Sequence, residues 1–336
     1  MELAYVWAAL IAFAVFAYVV LDGFDLGIGI MFPFFEQGQQ RDQMMNSVAP
    51  VWDGNETWLV LGGGGLFAAF PLAYATVMPA LYAPIIAMLL GLVFRGVAFE
   101  YRWRTERWRI LWDWAFFAGS LVATLAQGIA LGALVQGIEV ENRAYAGGWW
   151  DWLTPFSLIT GVSLVAGYVM LGSSWLVMKT HPPIADKASL IASRSMLLTV
   201  AMLALVSFWT PFISEVYFDR WFGFPTVFMA VLIPTLVLIL LFWFYKGLKQ
   251  GQDGSHESRP FLAALGIFTI SFCGLGFTFY PYIVPPSLHI TDTAAPDSSL
   301  MFMLVGAAVL IPLILAYTAY AYWVFRGKID PDHGYH

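Results

Sequence analysis

The sequence predicts an all-α polytopic membrane protein with nine transmembrane helices, read as one transmembrane domain over residues 1–336. Three observations lead there. Hydrophobic residues make up 60% of the chain and charged residues 11%, against about 25% charged in an ordinary soluble domain. Apolar runs of the ~20 residues needed to cross a bilayer recur along the chain. The basic residues then divide between the loops that those runs define. Arg41, Arg102, Arg104, Arg107, Arg109, Lys179, Lys187, Arg194, Lys246, Lys249, Arg259, Arg326 and Lys328 fall on one side. Arg143 and Arg220 fall on the other, and Arg95 lies inside a helix. Such asymmetry predicts an N-terminus outside and a C-terminus in the cytoplasm. Eight or ten spans would break it.

The first span covers about residues 3–34. Asp22 and Asp25 sit late in it, one turn apart on one face. Gly23, Gly27 and Gly29 lie among them and admit a close neighbour or a kink, so the helix is read as broken at DGFDLG. A loop over 36–49 leads to Pro50, which suits the first turn of the second span, 51–69. That span opens on the polar stretch PVWDGNETW and carries four consecutive glycines, Gly62 to Gly65. A tight turn at 72–75 precedes the third span, 76–99, which ends in FRGVAFEYR. The remaining spans are 111–135, 155–178, 190–212, 224–245, 260–283 and 300–325. Trp103, Trp108, Trp112 and Trp114 form an inner aromatic belt, and Trp149, Trp150 and Trp152 an outer one. Cys273 is the one cysteine, so no internal disulfide forms and a packing role is expected. MELAYVW has neither a basic region nor a cleavage site, so no signal peptide is expected.

Charge inside a membrane is costly and generally has a task. Counted from outside at about 1.5 Å per residue, Asp22 and Asp25 lie roughly 27–32 Å along the first helix, near the cytoplasmic edge of the hydrocarbon. The second helix begins at that edge with Asp53 and Glu56, and the third ends there with Arg95 and Glu100. Six ionisable side chains therefore share one depth. The functional reading is a proton or cation entry path from the cytoplasm, or a polar contact with a partner subunit. Asp53 is its first candidate, and Asn55 joins the relay. The structural reading is that acidic first-turn residues suit the helix dipole and that Arg95 pairs with Asp25 or Glu100. Trp52 and Trp58 are read as packing, at a partner interface or otherwise. Gly62 and Gly63 belong to a close-packing surface that is also flat enough for a quinone ring or tail.

Several chemistries are excluded. Scarce basic residues in short loops argue against nucleic-acid binding. GGGGLFAAF lacks the Lys-Ser/Thr of a phosphate loop. The five histidines, His181, His256, His289, His333 and His336, fall in loops or the tail. A buried haem needs axial His, Cys or Met, so the chain itself is expected to hold no haem, no metal and no catalytic residue.

VVLDGFDLGIG (residues 19–29), APVWDGNETWLV (49–60), the FP-x-x-Y at 70–74 and FRGVAFEYR (94–102) together resemble subunit II of cytochrome bd-type quinol oxidases, including the cyanide-insensitive branch. The resemblance covers the whole chain, with its most specific motifs in the first 110 residues. It implies two four-helix bundles plus one additional helix. It implies pairing with a haem-bearing subunit I that holds haem b and haem d, or haem b alone, and a complex that oxidises quinol and reduces oxygen to water. Protons would come from the cytoplasm, and the family's channel acid in the WDGN segment matches Asp53. Small single-span accessory subunits, bound lipid and a structural quinone are further implications, as is a bacterial cytoplasmic (inner) membrane location. Two other readings stand beside it. A stand-alone secondary transporter would use the broken first helix and the Gly-rich second helix as half-helix sites, but no comparable acidic cluster appears later in the chain. A purely structural assembly subunit would need no proton role at all.

Overall fold

A computed structural model describes residues 2–251 and 256–330. Its helices in chain order are α1 (Glu2–Met31), α2 (Gln39–Asn46), α3 (Trp52–Ala69), α4 (Pro71–Ala80), α5 (Tyr82–Arg104), α6 (Arg109–Gln136), α7 (Pro155–Lys179), α8 (Ile184–Trp209), α9 (Glu215–Phe222), α10 (Val227–Gly251), α11 (Arg259–Phe279), α12 (Ile290–Thr293) and α13 (Asp297–Val324). Two short antiparallel hairpins, β1–β2 (Val140–Glu141 with Ala144–Tyr145) and β3–β4 (Tyr282–Val284 with Leu288–His289), cover one end. Eight helices among the described residues are long and apolar enough to cross a membrane. The second expected span is α3, which carries Asp53, Glu56 and five glycines in 18 residues and is therefore less apolar than the others.

Two local expectations are corrected. The expected turn at 72–75 is helical, because the breaks fall on either side of it. Pro71 sits at the start of α4, Phe70 leaves helical geometry at φ −134°, ψ 64°, and Leu81 separates α4 from α5. The first helix is not broken at DGFDLG either: α1 runs unbroken to Met31. Its glycines serve approach rather than bending. A Cβ on Gly27 would overlap the carbonyl oxygen of Tyr168, and one on Gly172 would sit 2.7 Å from the amide nitrogen of Ile28. The α1 and α7 backbones thus touch directly, as small residues allow in membrane helix pairs.

α1 runs through the middle of the fold. It contacts α3, α6 and α7, joining the group α1, α3, α5 and α6 to the group α7, α8, α10 and α11. Thr154 begins α7 with a capping box: its hydroxyl accepts from the Ser157 amide at 3.0 Å and the Ser157 hydroxyl accepts from the Thr154 amide at 2.9 Å. α13 is the additional helix, and Leu300 is its only buried residue. It is tied at one end by the Trp7 indole, which donates to the Leu300 carbonyl at 2.9 Å. At the other end Lys179 Nζ donates to the carbonyls of Phe325 (2.5 Å) and Gly327 (3.1 Å), covering carbonyls at the helix terminus that have no intrahelical donor.

Candidate functional site

The buried charge converges where α1, α3 and α5 meet. Asp22, Asp25 and Arg95 are each 0% exposed. Arg95 Nη1 donates to Asp22 Oδ1 at 2.5 Å, and Nη2 donates to Glu56 Oε2 at 2.7 Å. Arg95 therefore pairs with Asp22 and Glu56, not with Asp25 or Glu100. Asp25 lies one turn further along α1, where Asn55 donates from Nδ2 to its Oδ2 at 2.9 Å. Asn55 also donates to the Leu21 carbonyl at 3.2 Å and accepts from the Tyr322 hydroxyl at 2.9 Å. Three carboxylates thus face one guanidinium. Charges taken out of water are tolerated only when paired and hydrogen-bonded, and Asp25 Oδ1 has no hydrogen-bond partner among the described residues. Glu56 is the group in this cluster that reaches outward, with 30% of its side chain exposed.

Other predicted residues lie elsewhere. Asp53 is exposed on α3 and is not part of the buried cluster, although Glu56 follows it by three residues. Asp53, Gly54, Thr57, Val60, Gly64 and Phe67 form an uncovered stripe at helical spacing, while Asn55, Trp58, Gly62 and Ala69 form the buried one. Glu100 is also exposed and pairs with Arg104, one turn on, at 3.5 Å. Trp52 stacks flat on Phe99 (4.6 Å, 4°). Trp58 is buried against α1, with its ring edge-on to Phe13, so it contacts this chain rather than a partner. The four glycines do not make one flat surface. Gly62 and Gly65 face Val15 and Ile11 on α1, whereas Gly63 and Gly64 have nothing within 4 Å. Four successive residues go all the way round a helix.

Sequence reasoning missed a second ionic cluster on the side carrying most of the basic residues. Asp113 accepts from Arg41 at 2.7 Å and Arg102 at 2.6 Å; Asp42 lies 2.8 Å from Arg102 and also accepts from Arg109. Arg41 and Arg102 both lie over the Phe32 ring. This cluster ties α2 to α5 and α6. The arginines had been counted only for topology, and the available signal was Asp113 itself, a carboxylate inside an expected span. Two tyrosines were missed as well: Tyr322, and Tyr168, whose hydroxyl donates to Gln127 at 3.0 Å.

Among the described histidines, His181 and His256 lie between long helices and His289 lies in β4. His333 and His336 fall outside the described residues. No group of three or more His, Cys, Asp or Glu side chains that could hold a metal ion occurs among the described residues. A groove of about 150 Å³ between α1 and α11, lined by Phe13, Phe16, Phe272 and Cys273, is smaller than usual ligand pockets.

A helical membrane chain with a buried ion-pair cluster, an uncovered stripe bearing a carboxylate and a helix lying almost wholly outside its bundles has the features of one subunit of a membrane complex. The family described as cytochrome bd terminal oxidase subunit II matches residues 3–325, and the chain belongs to that family. It is 32% identical over 369 residues to the cytochrome bd-I ubiquinol oxidase subunit 2 of Escherichia coli strain K12, covering 98% of this chain and 96% of that one. It is 28% identical to the cytochrome bd ubiquinol oxidase subunit 2 of Bacillus subtilis strain 168, covering 96% of each. Its fold is similar to a chain in the bd oxidase of Geobacillus thermodenitrificans, with a TM-score of 0.78 at 18% identity, over 97% of this chain and 99% of that one. The resemblance read from DGFDLG and PVWDGNETW is correct, and membership of this family leaves the stand-alone transporter without support.

Proposed function

We propose that this chain is the haem-free half of a quinol-oxidising, oxygen-reducing complex in the bacterial cytoplasmic membrane, and that it holds cytoplasmic protons for the oxygen chemistry of a haem-bearing subunit I. Haem b, with or without haem d, belongs to that partner. Quinol enters as the substrate of the complex, in keeping with the printed names of the relatives. Accessory single-span subunits, bound lipid and a structural quinone remain part of the proposal.

The observation that carries the proton role is the imbalance of buried charge. Among the described residues Asp22 and Glu56 share one cation, Arg95, while Asp25, one turn on, is bonded to neutral Asn55, and a proton held among the three relieves the excess. Partly exposed Glu56 links this group to the α3 surface, where Asp53 sits. A carboxylate on a face otherwise made of Thr57, Val60, Gly64 and Phe67 is poorly served by lipid, which supports a partner subunit covering that stripe. The side bearing Arg41, Arg102, Arg109 and Lys179 supports an inside C-terminus.

A purely structural role is the second reading, favoured by the double pairing of Arg95. Asp53→Asn, measured in the purified complex, separates the two. The proton role predicts slowed quinol-driven oxygen uptake with normal haem content and normal subunit ratio. Unchanged turnover removes Asp53 from the path, and loss of haem and partner assigns it to assembly.

A further inference from the structure

We propose that Tyr322 is a positioning residue for Asp25, acting through Asn55. The inference rests on the reading that the buried carboxylates hold a proton, and it names what orients one of them. Asn55 is 1% exposed and sits between α1, α3 and α13. Both of its Nδ2 hydrogens have acceptors, the Leu21 carbonyl at 3.2 Å and Asp25 Oδ2 at 2.9 Å. Its Oδ1 accepts from the Tyr322 hydroxyl at 2.9 Å. Only one orientation of the amide satisfies all three contacts. The flipped amide would set its oxygen against a carbonyl and a carboxylate, acceptor against acceptor.

Tyr322 thus contributes the donor that holds the Asn55 oxygen on the α13 side, and so keeps the amide hydrogens on Asp25. The bond to Asn55 is the one hydrogen bond made by the Asp25 side chain among the described residues. The phenol is itself held by an edge-on contact with Trp175, at 6.2 Å and 85°. Its backbone lies on α13, a helix with one buried residue in 28. The hydroxyl therefore connects a helix lying almost wholly outside the bundles to a fully buried acid.

The test compares the purified complex with its Tyr322→Phe and Asp25→Asn variants. Phe keeps the ring contact with Trp175 and removes only the donor. The readouts are the carbonyl stretch of protonated carboxyl groups in infrared difference spectra, haem content, and quinol-driven oxygen uptake. The expected result is a carboxyl band that Asp25→Asn abolishes and Tyr322→Phe moves to higher frequency, because the carbonyl loses a firmly held donor. Turnover of Tyr322→Phe falls about fivefold, the effect of one hydrogen bond, at unchanged haem content. A band that Asp25→Asn removes but Tyr322→Phe leaves in place overturns the positioning role and leaves the proton reading standing, whatever turnover does. Spectra that Asp25→Asn does not alter overturn the proton reading at Asp25, and the positioning role with it.

Discussion

Replacing Arg95 with Leu removes the one cation from a site where Asp22 is fully buried. The guanidinium is 2.5 Å from Asp22 and 2.7 Å from Glu56, with no exposure of its own. Breaking a buried pair by deleting one partner costs about 3–5 kcal/mol, because the remaining charge is left uncompensated. Glu56 adds little beyond this, since 30% of its side chain is exposed and can regain water. At roughly 2 °C per kcal/mol for a chain of this size, the apparent unfolding midpoint of the complex in mild detergent should fall about 6–10 °C, followed by tryptophan fluorescence. The double variant Asp22→Leu/Arg95→Leu removes both charges and keeps the volume filled. It should recover most of the loss, giving a coupling of about 2–4 kcal/mol in a double-mutant cycle. A single variant with an unmoved midpoint, or a double variant whose loss equals the sum of its parts, would refute the ion-pair argument.

Two further outcomes follow from the same geometry. Gly27→Ala should prevent folding or sharply reduce the yield of folded chain, because the added methyl overlaps the α7 backbone, whereas Gly63→Ala should leave the chain's own stability unchanged and show any effect only in partner recovery; size-exclusion profiles and subunit ratios distinguish the two. Arg102→Met leaves Asp113 with Arg41 and Asp42 with Arg109, so its cost should be smaller than that of Arg95→Leu, about 1–3 kcal/mol, and should appear first as faster proteolysis of the 36–49 segment.

What could be read in advance was depth; what could not was direction around the helix axis. Hydropathy and basic-residue asymmetry put Asp22, Asp25, Asp53, Glu56, Arg95 and Glu100 at one level, and four of the six do meet. Whether a residue at that level turns inward depends on helix rotation, which is set by packing partners distant in sequence. Gly27 against Tyr168 and Gly172 fixes the rotation of α1, and Gly62 and Gly65 against Val15 and Ile11 fix that of α3. Once α3 is rotated so, Asn55 and Glu56 turn toward Asp25 and Arg95, and Asp53 turns to the open face. Tyr322 was invisible for a stronger reason: it lies 267 residues from Asn55, and nothing local marks it among the tyrosines of α13. The Arg41–Asp113–Arg102–Asp42–Arg109 cluster was half legible, since its three arginines were counted as loop charge while their acidic partners, Asp42 and Asp113, and the pairing needed the short helix α2.

The most direct measurement is purification of the complex through a tag on this chain, with every co-purifying polypeptide identified and the reduced-minus-oxidised spectrum recorded. The account predicts a haem-rich partner of similar size, haem absorbance that follows the partner when the subunits are separated, and quinol-dependent oxygen uptake by the intact pair. A colourless, monodisperse chain without a partner in several mild detergents, or haem that stays with this chain after separation, would contradict it.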